Sequence, residues 1–267
     1  MSAQTRTEIA DLLVRHGLTP KHHLGQHFLA DPNITRKIVA ISGVVPGDSV
    51  VEVGAGTGTL TRALAETGAR VVSYEIDERL RPVLAETLDG LDVDLRFEDV
   101  GRIDLGATLE GPDWALVANL PYNVGTPLVL DTLRHVMQVT RFVVMVQKEV
   151  ARRFVAIPGT PAYGLPSVIT QIHSSGSLVS TIPPQVFYPP PRVESAVVAM
   201  ERVAAPPQAE RAIELARAGF GQRRKMLRGS LVALVEDPVA LLEGAGIDPT
   251  SRAEQLSAAD YLRLAAS

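Results

Sequence analysis

The chain has 267 residues, 46% of them hydrophobic and 21% charged, so it can bury a full core in one large domain or in one domain with an appendage. It contains no apolar run of about 18 residues and no basic-then-apolar leader, which argues against a membrane span and a secretory signal. The lack of cysteine excludes disulfides and thiolate zinc sites and favours the cytoplasm. With a net charge of −4, any nucleic-acid surface must come from local basic clusters.

In chain order, apolar spacing first predicts two amphipathic helices, at 5–16 and 33–42. Short β-branched runs and helical patterns then alternate. The runs predict strands at 49–53, 70–76, 93–97, 114–118 and 142–146, and the helical patterns lie at 60–67 and 78–88. This alternation predicts an α/β fold, with a parallel sheet covered by helices on both faces. Segments 169–174 and 193–200 are predicted to add an antiparallel pair at the sheet edge.

The composition changes at A-A-P-P-Q (204–208), which indicates a linker. Helices are predicted after it, over about 210–235, near 238–245 and beyond Ser251, with no convincing strand. We therefore predict a larger domain at 1–203 and a small helical domain at 204–267.

The stretch V-E-V-G-A-G-T-G (51–58) follows the first sheet strand and opens a helix. Gly54, Gly56 and Gly58 allow a tight turn and a close approach to a ligand, at the edge where open α/β sheets bind ligands. A dinucleotide fingerprint requires G-x-G-x-x-G, but Thr59 stands where its third glycine would lie. The G-x-G-x-G spacing favours an adenosine without a pyrophosphate, as in S-adenosylmethionine. A plain tight turn is the alternative.

Two acidic residues follow later strands at the same predicted edge. Glu75 ends the second strand about 20 residues after the loop, where a carboxylate can accept hydrogen bonds from both ribose hydroxyls. Asp99 follows the third strand, where it can accept a hydrogen bond from the exocyclic amine of an adenine. The alternatives are a surface charge at Glu75 and a turn residue at Asp99.

Several motifs occur in order from about residue 21 to the end of the chain. They are L-G-Q-H-F-L-A-D (24–31), V-E-V-G-A-G-T-G (51–58), E-I-D (75–77), N-L-P-Y-N-V (119–124), V-Q-K-E-V (146–150), A-Y-G-L-P-S-V (162–168), V-F-Y-P-P-P-R-V-E-S-A-V-V (186–198) and F-G-Q-R-R-K-M-L-R-G-S-L (220–231). In this ordered set the chain resembles the ribosomal RNA adenine N6-dimethyltransferases, in particular the bacterial small-subunit (KsgA-type) enzymes.

The resemblance implies a Rossmann-like, S-adenosylmethionine-dependent methyltransferase fold, with a mostly parallel seven-stranded sheet and a small C-terminal helical domain. It implies cofactor contacts at His27, Leu29 and Gly54, ribose binding by Glu75 and adenine binding by Asp99. Asn119 would meet the methionine end of the cofactor. The family usually has Asn where His27 stands, and a small residue where Glu98 precedes Asp99.

The segment N-L-P-Y is predicted to receive the target amine. The side-chain oxygen of Asn119 and the carbonyl of Leu120 would accept hydrogen bonds from its N–H groups, and Pro121 would fix the kink that aims that carbonyl. Tyr122 would stack on a base taken out of its helix, with Phe187 on the other face. A structural turn is the alternative.

A basic cluster near the end of the chain is the candidate RNA surface. Its residues are predicted to share a helical face, with Lys148, Arg152 and Arg153 as extensions; the cluster is Arg217, Arg223, Arg224, Lys225 and Arg228. A solvated helix face is the alternative. His22, His23 and His27 have no matching carboxylate spacing, so no metal site is predicted.

The resemblance implies transfer of methyl groups to N6 of two adjacent adenines near the 3′ end of 16S rRNA. The partner would be the small ribosomal subunit, as a 30S precursor late in ribosome biogenesis. A monomer is the default expectation, because nothing in the sequence marks an oligomer face. Two alternatives stay open: methylation of 23S rRNA, which gives macrolide resistance, and a small-subunit assembly factor without catalysis. The motif at 220–231 favours the small-subunit enzyme over the first, and the N-L-P-Y motif argues against the second.

Overall fold

The computed structural model describes residues 4–267. Within them the strands are β1 (Phe28–Leu29), β2 (Ser49–Val53), β3 (Arg70–Glu75), β4 (Val93–Phe97), β5 (Trp114–Asn119), β6 (Val139–Gln147), β7 (Ser174–Ile182), β8 (Phe187–Tyr188) and β9 (Ser195–Arg202). The helices are α1 (Arg6–Arg15), α2 (Pro32–Ser42), α3 (Thr59–Ala65), α4 (Arg81–Thr87), α5 (Leu105–Thr108), α6 (Gly125–His135), α7 (Lys148–Phe154), α8 (Leu165–His173), α9 (Ala209–Gly221), α10 (Leu227–Ser230), α11 (Pro238–Gly244) and α12 (Ala258–Ala266). In this described part, no helix has the length and apolar character needed to cross a membrane.

Seven strands form one sheet in the order β4-β3-β2-β5-β6-β9-β7. The pairs among β2 to β6 are parallel, and β9 runs antiparallel to β6. The predicted α/β fold with a mostly parallel seven-stranded sheet is therefore confirmed. Because β2 and β5 are neighbours although β3 and β4 intervene in sequence, the strand order reverses beside β2, and open sheets bind ligands at such a point. β1 and β8 form a separate two-stranded pair.

Two apolar clusters pack the helices onto the sheet. In one, α2 and α3 pack on strand residues through side chains that include Ile38 and Leu64. In the other, α1 packs through Ile9 against a group that includes Leu84 of α4 and Phe28 of β1. The helices thus bury the stripes that their apolar spacing predicts, and removal of this apolar surface from water stabilises the fold.

The chain divides into two compact units, and the division differs from the predicted boundary. The first unit comprises the chain up to Ala151 together with Gly176–Glu201, and the second comprises Arg152–Ser175 together with Arg202–Ser267. The sequence-based boundary at 203/204 lies near one crossing but leaves 152–175 in the first domain. Those residues belong with the C-terminal helices because α8 packs against α9 and α12.

The predicted strand at 169–174 is wrong, because this segment lies in helix α8 and the first residue of β7. Ile169 and Ile172 are both buried and stand three residues apart, which is helical spacing. Pro166 occupies the first turn, where its missing N–H costs nothing. The six-residue window was too short to distinguish a helix from an alternating strand. The neighbour of β9 at the sheet edge is instead β7.

The long helix predicted over 210–235 is also wrong, since α9 ends at Gly221 and α10 spans only Leu227–Ser230. The N–H of Leu227 donates to the carbonyl of Ser251 at 2.8 Å, and Met226 forms a β-bridge with Arg252. These tertiary hydrogen bonds replace the helical ones. The basic residues 223–225 therefore lie in a turn rather than on a helix face.

A buried carboxyl group lies in the centre of the first unit. Glu52 of β2 accepts hydrogen bonds from the hydroxyls of Thr61 at 2.5 Å and Ser73 at 2.7 Å. Burial raises the pKa of Glu52 to about 7, against the opposing effect of these two donors. The native state therefore keeps a proton that the unfolded chain releases near pH 4.5.

Stability should consequently fall as the pH rises from about 4.5 to 7, by roughly 3 kcal/mol at about 1.4 kcal/mol per pKa unit. Glu52→Gln removes the titrating group while keeping an oxygen that can accept from both hydroxyls. Urea unfolding at pH 5 and pH 8 should show the variant gaining stability relative to wild type at the higher pH. Parallel pH profiles for the two proteins would contradict this assignment.

Candidate active site

The glycine loop joins β2 to α3 at the carboxyl edge of the sheet. Gly54, Gly56 and Gly58 all have positive φ, at 87°, 59° and 81°. A Cβ atom on Gly58 would lie 2.9 Å from Cγ2 of Thr87, so a side chain there would collide with α4. A Cβ atom on Gly54 would lie 3.3 Å from Cδ of Pro121. The loop thus turns tightly and approaches the N-L-P-Y segment closely.

Glu75 lies at the end of β3 with only 5% of its surface exposed. Its Oε2 accepts from the N–H of Gly56 at 2.8 Å, and its Oε1 accepts from the N–H of Asp77 at 2.9 Å. Burial raises the pKa of Glu75, and these two backbone donors oppose that rise. Each carboxylate oxygen has a further lone pair, so the group fastened to the glycine loop can still accept hydroxyl donors.

Asp99 follows β4, which is the neighbour of β3, so it shares the carboxyl edge with Glu75. Its Oδ1 accepts from the N–H of Gly101 at 3.0 Å, and its Oδ2 pairs with Nε of Arg102 at 3.1 Å. These bonds hold the carboxylate in a short turn and leave part of it exposed. Adenine binding by Asp99 stays a prediction.

Ile76 is a surface residue that the sequence analysis missed. Half of its surface is exposed, although Glu75 and Asp77 on either side of it are both buried. An apolar side chain next to a predicted ribose-binding carboxylate offers a face to a flat base. The signal in the sequence is an apolar residue between two acids at a strand end, where alternation turns it outward.

His27 and Leu29 lie on the segment that leads into α2. Nδ1 of His27 lies 2.8 Å from the carbonyl of Pro189, and because a carbonyl only accepts, this nitrogen carries the proton. The side chain of Leu29 is buried in the core, and its backbone pairs with that of Phe187. Leu29 therefore has only its backbone to offer a cofactor, whereas the ring of His27 is half-buried.

Asn119 is the last residue of β5, and its side-chain nitrogen donates to the carbonyl of His27 at 3.2 Å. The carbonyl partner requires the nitrogen to face it, so Oδ1 points away and can accept another donor. The N–H of Leu120 donates to Met145, while its carbonyl accepts no hydrogen bond from the described residues. The carbonyl of Pro121 is occupied by the first turn of α6. Two acceptors predicted to meet the target amine are thus available.

Two contacts, one at the hydroxyl and one at the ring, hold the side chain of Tyr122 in place. Its hydroxyl lies 2.7 Å from Oγ of Ser195, and its ring centroid lies 5.5 Å from that of His27. Burial raises the pKa of Tyr122, so the phenol remains protonated at neutral pH. The side chain therefore presents a fixed ring rather than a base.

The predicted second stacking ring is placed differently. Phe187 has no exposed surface and packs in the core with residues such as Leu29 and Ile38. A fully buried ring offers no face to a base, so the structure does not support the stacking role assigned to Phe187. Its backbone pairing with β1 directs the ring inward, and a sequence motif alone does not reveal that direction.

Comparison with known proteins identifies the family of this chain. A family model described as ribosomal RNA adenine dimethylase matches residues 17–267. The chain belongs to this family. It is 48% identical to Ribosomal RNA small subunit methyltransferase A of Phenylobacterium zucineum, over 99% of this chain and 94% of the relative. It is 40% identical to the protein of the same name from Geobacillus thermodenitrificans, over 95% of this chain and 92% of the relative.

Solved structures show the same fold. A dimethyladenosine transferase from Plasmodium falciparum has a TM-score of 0.75 at 23% identity, with 89% of this chain and 96% of that chain covered. The 23S rRNA methyltransferase ErmE has a TM-score of 0.69 at 26% identity, covering 90% and 98% respectively. The fold of this dimethylase is thus one that a dimethyladenosine transferase and a 23S rRNA methyltransferase also have.

Lys148 and Arg223, both predicted to bind RNA, are each in an ion pair in this dimethylase. Nζ of Lys148 lies 2.7 Å from Oε2 of Glu194. Arg223 pairs with Glu254 through Nε at 3.1 Å and donates to the carbonyl of Tyr163 at 3.3 Å. Arg223 therefore ties the 161–163 segment to the C-terminal helices within the second unit.

The other predicted cations, like Arg223, are exposed in the second unit. They are Arg152, Arg153, Arg217, Arg224, Lys225 and Arg228. The exposed side chains at 224, 225 and 228 can reach phosphates without breaking an ion pair among the described residues. RNA binding at this surface stays a prediction.

Alanine substitutions at Arg223 and at its neighbour Arg224 make a matched pair of variants. Arg223→Ala should lower the unfolding free energy by about 1–2 kcal/mol, because it removes the bonds to Tyr163 and Glu254. Arg224→Ala should leave stability unchanged and reduce the salt dependence of rRNA binding by about one phosphate contact. Thermal unfolding and binding at several salt concentrations measure the two effects. Equal changes in unfolding free energy and in salt dependence for the two variants would refute the separate roles of Arg223 and Arg224.

Proposed function

We propose that this protein uses S-adenosylmethionine to methylate N6 of two adjacent adenines near the 3′ end of 16S rRNA. The substrate is the small ribosomal subunit as a 30S precursor, and the protein acts as a monomer in the cytoplasm. Two full-length relatives carry names that specify the small subunit, and they support this target. The observation that carries the chemistry is the fixed amide of Asn119, which presents an acceptor at the carboxyl edge of the sheet.

The residues at this edge suit the adenosine part of the cofactor. The glycine loop removes side chains beside it, and Glu75 keeps lone pairs for ribose hydroxyls while bound to the loop. Ile76 supplies an apolar face, and Asp99 offers a carboxylate to an amine. When bound, S-adenosylmethionine supplies a methyl group on a sulfonium, which is electrophilic without further activation.

The protein must then improve a poor nucleophile. The lone pair of the adenine amine is delocalised into the ring, and acceptors for its N–H groups favour a pyramidal nitrogen. Oδ1 of Asn119 and the carbonyl of Leu120 are two such acceptors, and the Pro121 ring keeps the segment kinked. No strong base is needed, because the nitrogen loses a proton readily once it is methylated. Catalysis is therefore mainly positioning.

Tyr122 holds the target base in this arrangement. An adenine must leave its helical stack before its amine can enter the site, and a fixed ring recovers stacking energy there. The hydrogen bond to Ser195 and the contact with His27 keep the ring in place before the RNA arrives. A ring that is already ordered loses less entropy when the base binds.

The target is tested by incubating the protein with labelled S-adenosylmethionine and either immature small subunits or large subunits, followed by mapping of the label. We expect label on adjacent adenines of 16S rRNA near its 3′ end. Label confined to 23S rRNA would overturn the proposed target. Tight binding to small subunits without label would indicate an assembly factor.

Asn119→Ala should abolish transfer, because it removes the oxygen that accepts from the amine. Binding of the variant to small subunits should stay within about threefold of wild type, since the RNA surface is unchanged. Filter binding and the transfer assay give the two values. Turnover at the wild-type rate would refute the role of this side chain.

Tyr122→Phe and Tyr122→Leu separate the ring from its hydroxyl. The Phe variant keeps the stacking surface and loses only the bond to Ser195, so we expect a loss of transfer below about tenfold. The Leu variant loses stacking worth about 1–3 kcal/mol per base, which corresponds to roughly five- to 150-fold. Equal activity of the two variants would show that the ring does not stack.

A further inference from the structure

We infer that Gln26 is a positioning residue for methyl transfer, which sets the orientation of the Asn119 amide through the carbonyl of its neighbour His27. This inference rests on the proposed function. It concerns the 21–27 loop, which connects the ends of β3 and β5 across the edge of the sheet.

Both ends of the Gln26 amide are used to shape this loop. Its Oε1 accepts from the N–H of Lys21 at 2.7 Å, which closes the loop on itself. Its Nε2 donates to Oδ2 of Asp77 at 2.9 Å, which fastens the closed loop to the end of β3. No aliphatic side chain can make either bond.

Asp77 is a rigid anchor for the loop. Its side chain is almost fully buried, and the guanidinium of Arg79 binds it through Nε at 2.9 Å and Nη2 at 2.7 Å. Hydrogen bonds from Arg79, assisted by Gln26, hold the pKa of Asp77 well below its usual range. The carboxylate is therefore a permanent acceptor, and Lys21 reaches it with Nζ at 3.4 Å.

The far side of the loop packs against the predicted catalytic turn. Gly25 has a φ of 67°, and a Cβ atom there would lie 3.3 Å from Oδ1 of Asn123 and 3.4 Å from the backbone nitrogen of Tyr122. The left-handed conformation and the close approach both suit glycine. The loop thus contacts the N-L-P-Y-N segment directly.

His27, the residue after Gln26, links the position of the loop to the side-chain amide of Asn119. The carbonyl of His27 accepts from Nδ2 of Asn119 at 3.2 Å. The terminal torsion of an asparagine has two broad, nearly equivalent orientations, and only one of them presents oxygen to the amine. The flipped Asn119 amide would direct its own N–H groups at the N–H groups of the target amine, and no hydrogen bond could form. A misplaced His27 carbonyl would therefore populate an unproductive orientation without removing any group that touches substrate.

Gln26→Leu tests this chain of contacts, and Gln138→Leu is the matched control. The side-chain amide of Gln138 likewise bonds to another part of the chain: its Nε2 donates to the carbonyl of Gly106 at 3.0 Å, in the same compact unit but outside the site. We expect Gln26→Leu to lower kcat by about ten- to a hundredfold, because a misplacement of about 1 Å can cost a hundredfold, with the KM for small subunits within about threefold. Gln138→Leu should keep both values near wild type.

A second readout does not depend on turnover. The side-chain amide signals of Asn119, assigned through Asn119→Ala, should shift and exchange faster with solvent in Gln26→Leu and stay in place in Gln138→Leu. Should Gln26→Leu fail to fold, Gln26→Asn is one methylene shorter and cannot reach both partners, so it should give the same results. Unchanged amide signals and an unchanged kcat in a folded variant would overturn the inference. A wild-type protein that transfers no methyl group would instead overturn the proposed function.

Discussion

Two neighbouring buried acidic residues at the end of β3 hold the candidate site together. Glu75 accepts a backbone N–H from the glycine loop, and Asp77 accepts donors from the 21–27 loop. Two like charges so close would repel, but backbone N–H groups bind one carboxyl and the Arg79 guanidinium binds the other. The strand end thus fixes two loops that approach the site from different parts of the chain.

At the carboxyl edge of the sheet, the two loops fixed by the end of β3 lie close to the N-L-P-Y segment. β3, β2 and β5 are adjacent parallel strands, so their ends meet although they are separated in sequence. The close approach of Gly54 to Pro121 places the glycine loop beside the N-L-P-Y segment. Most groups in the site are backbone atoms or side chains bound to backbone atoms. Such groups need little reorganisation when substrate binds, which suits a reaction that depends on positioning.

Adjacent basic residues in one sequence motif can have different physical roles. Both side chains are exposed, but Arg223 binds Glu254 and the backbone of Tyr163, whereas Arg224 has no side-chain hydrogen bond or ion pair among the described residues. The turn exists because Leu227 bonds to Ser251 instead of continuing the helix. Local charge density alone does not separate a cation that maintains the fold from one that can reach a phosphate.

The sequence by itself determined the alternating strands, the glycine loop and the order of the acidic and N-L-P-Y motifs, because local periodicity and turn chemistry are written in neighbouring residues. It failed at 169–174 and 210–235, where burial against distant helices and hydrogen bonds to 249–252 decide the conformation. Only the tertiary structure decided that Phe187 faces the core and that the His27 carbonyl orients Asn119. Each depends on contacts between segments far apart in sequence, whose direction no local pattern encodes.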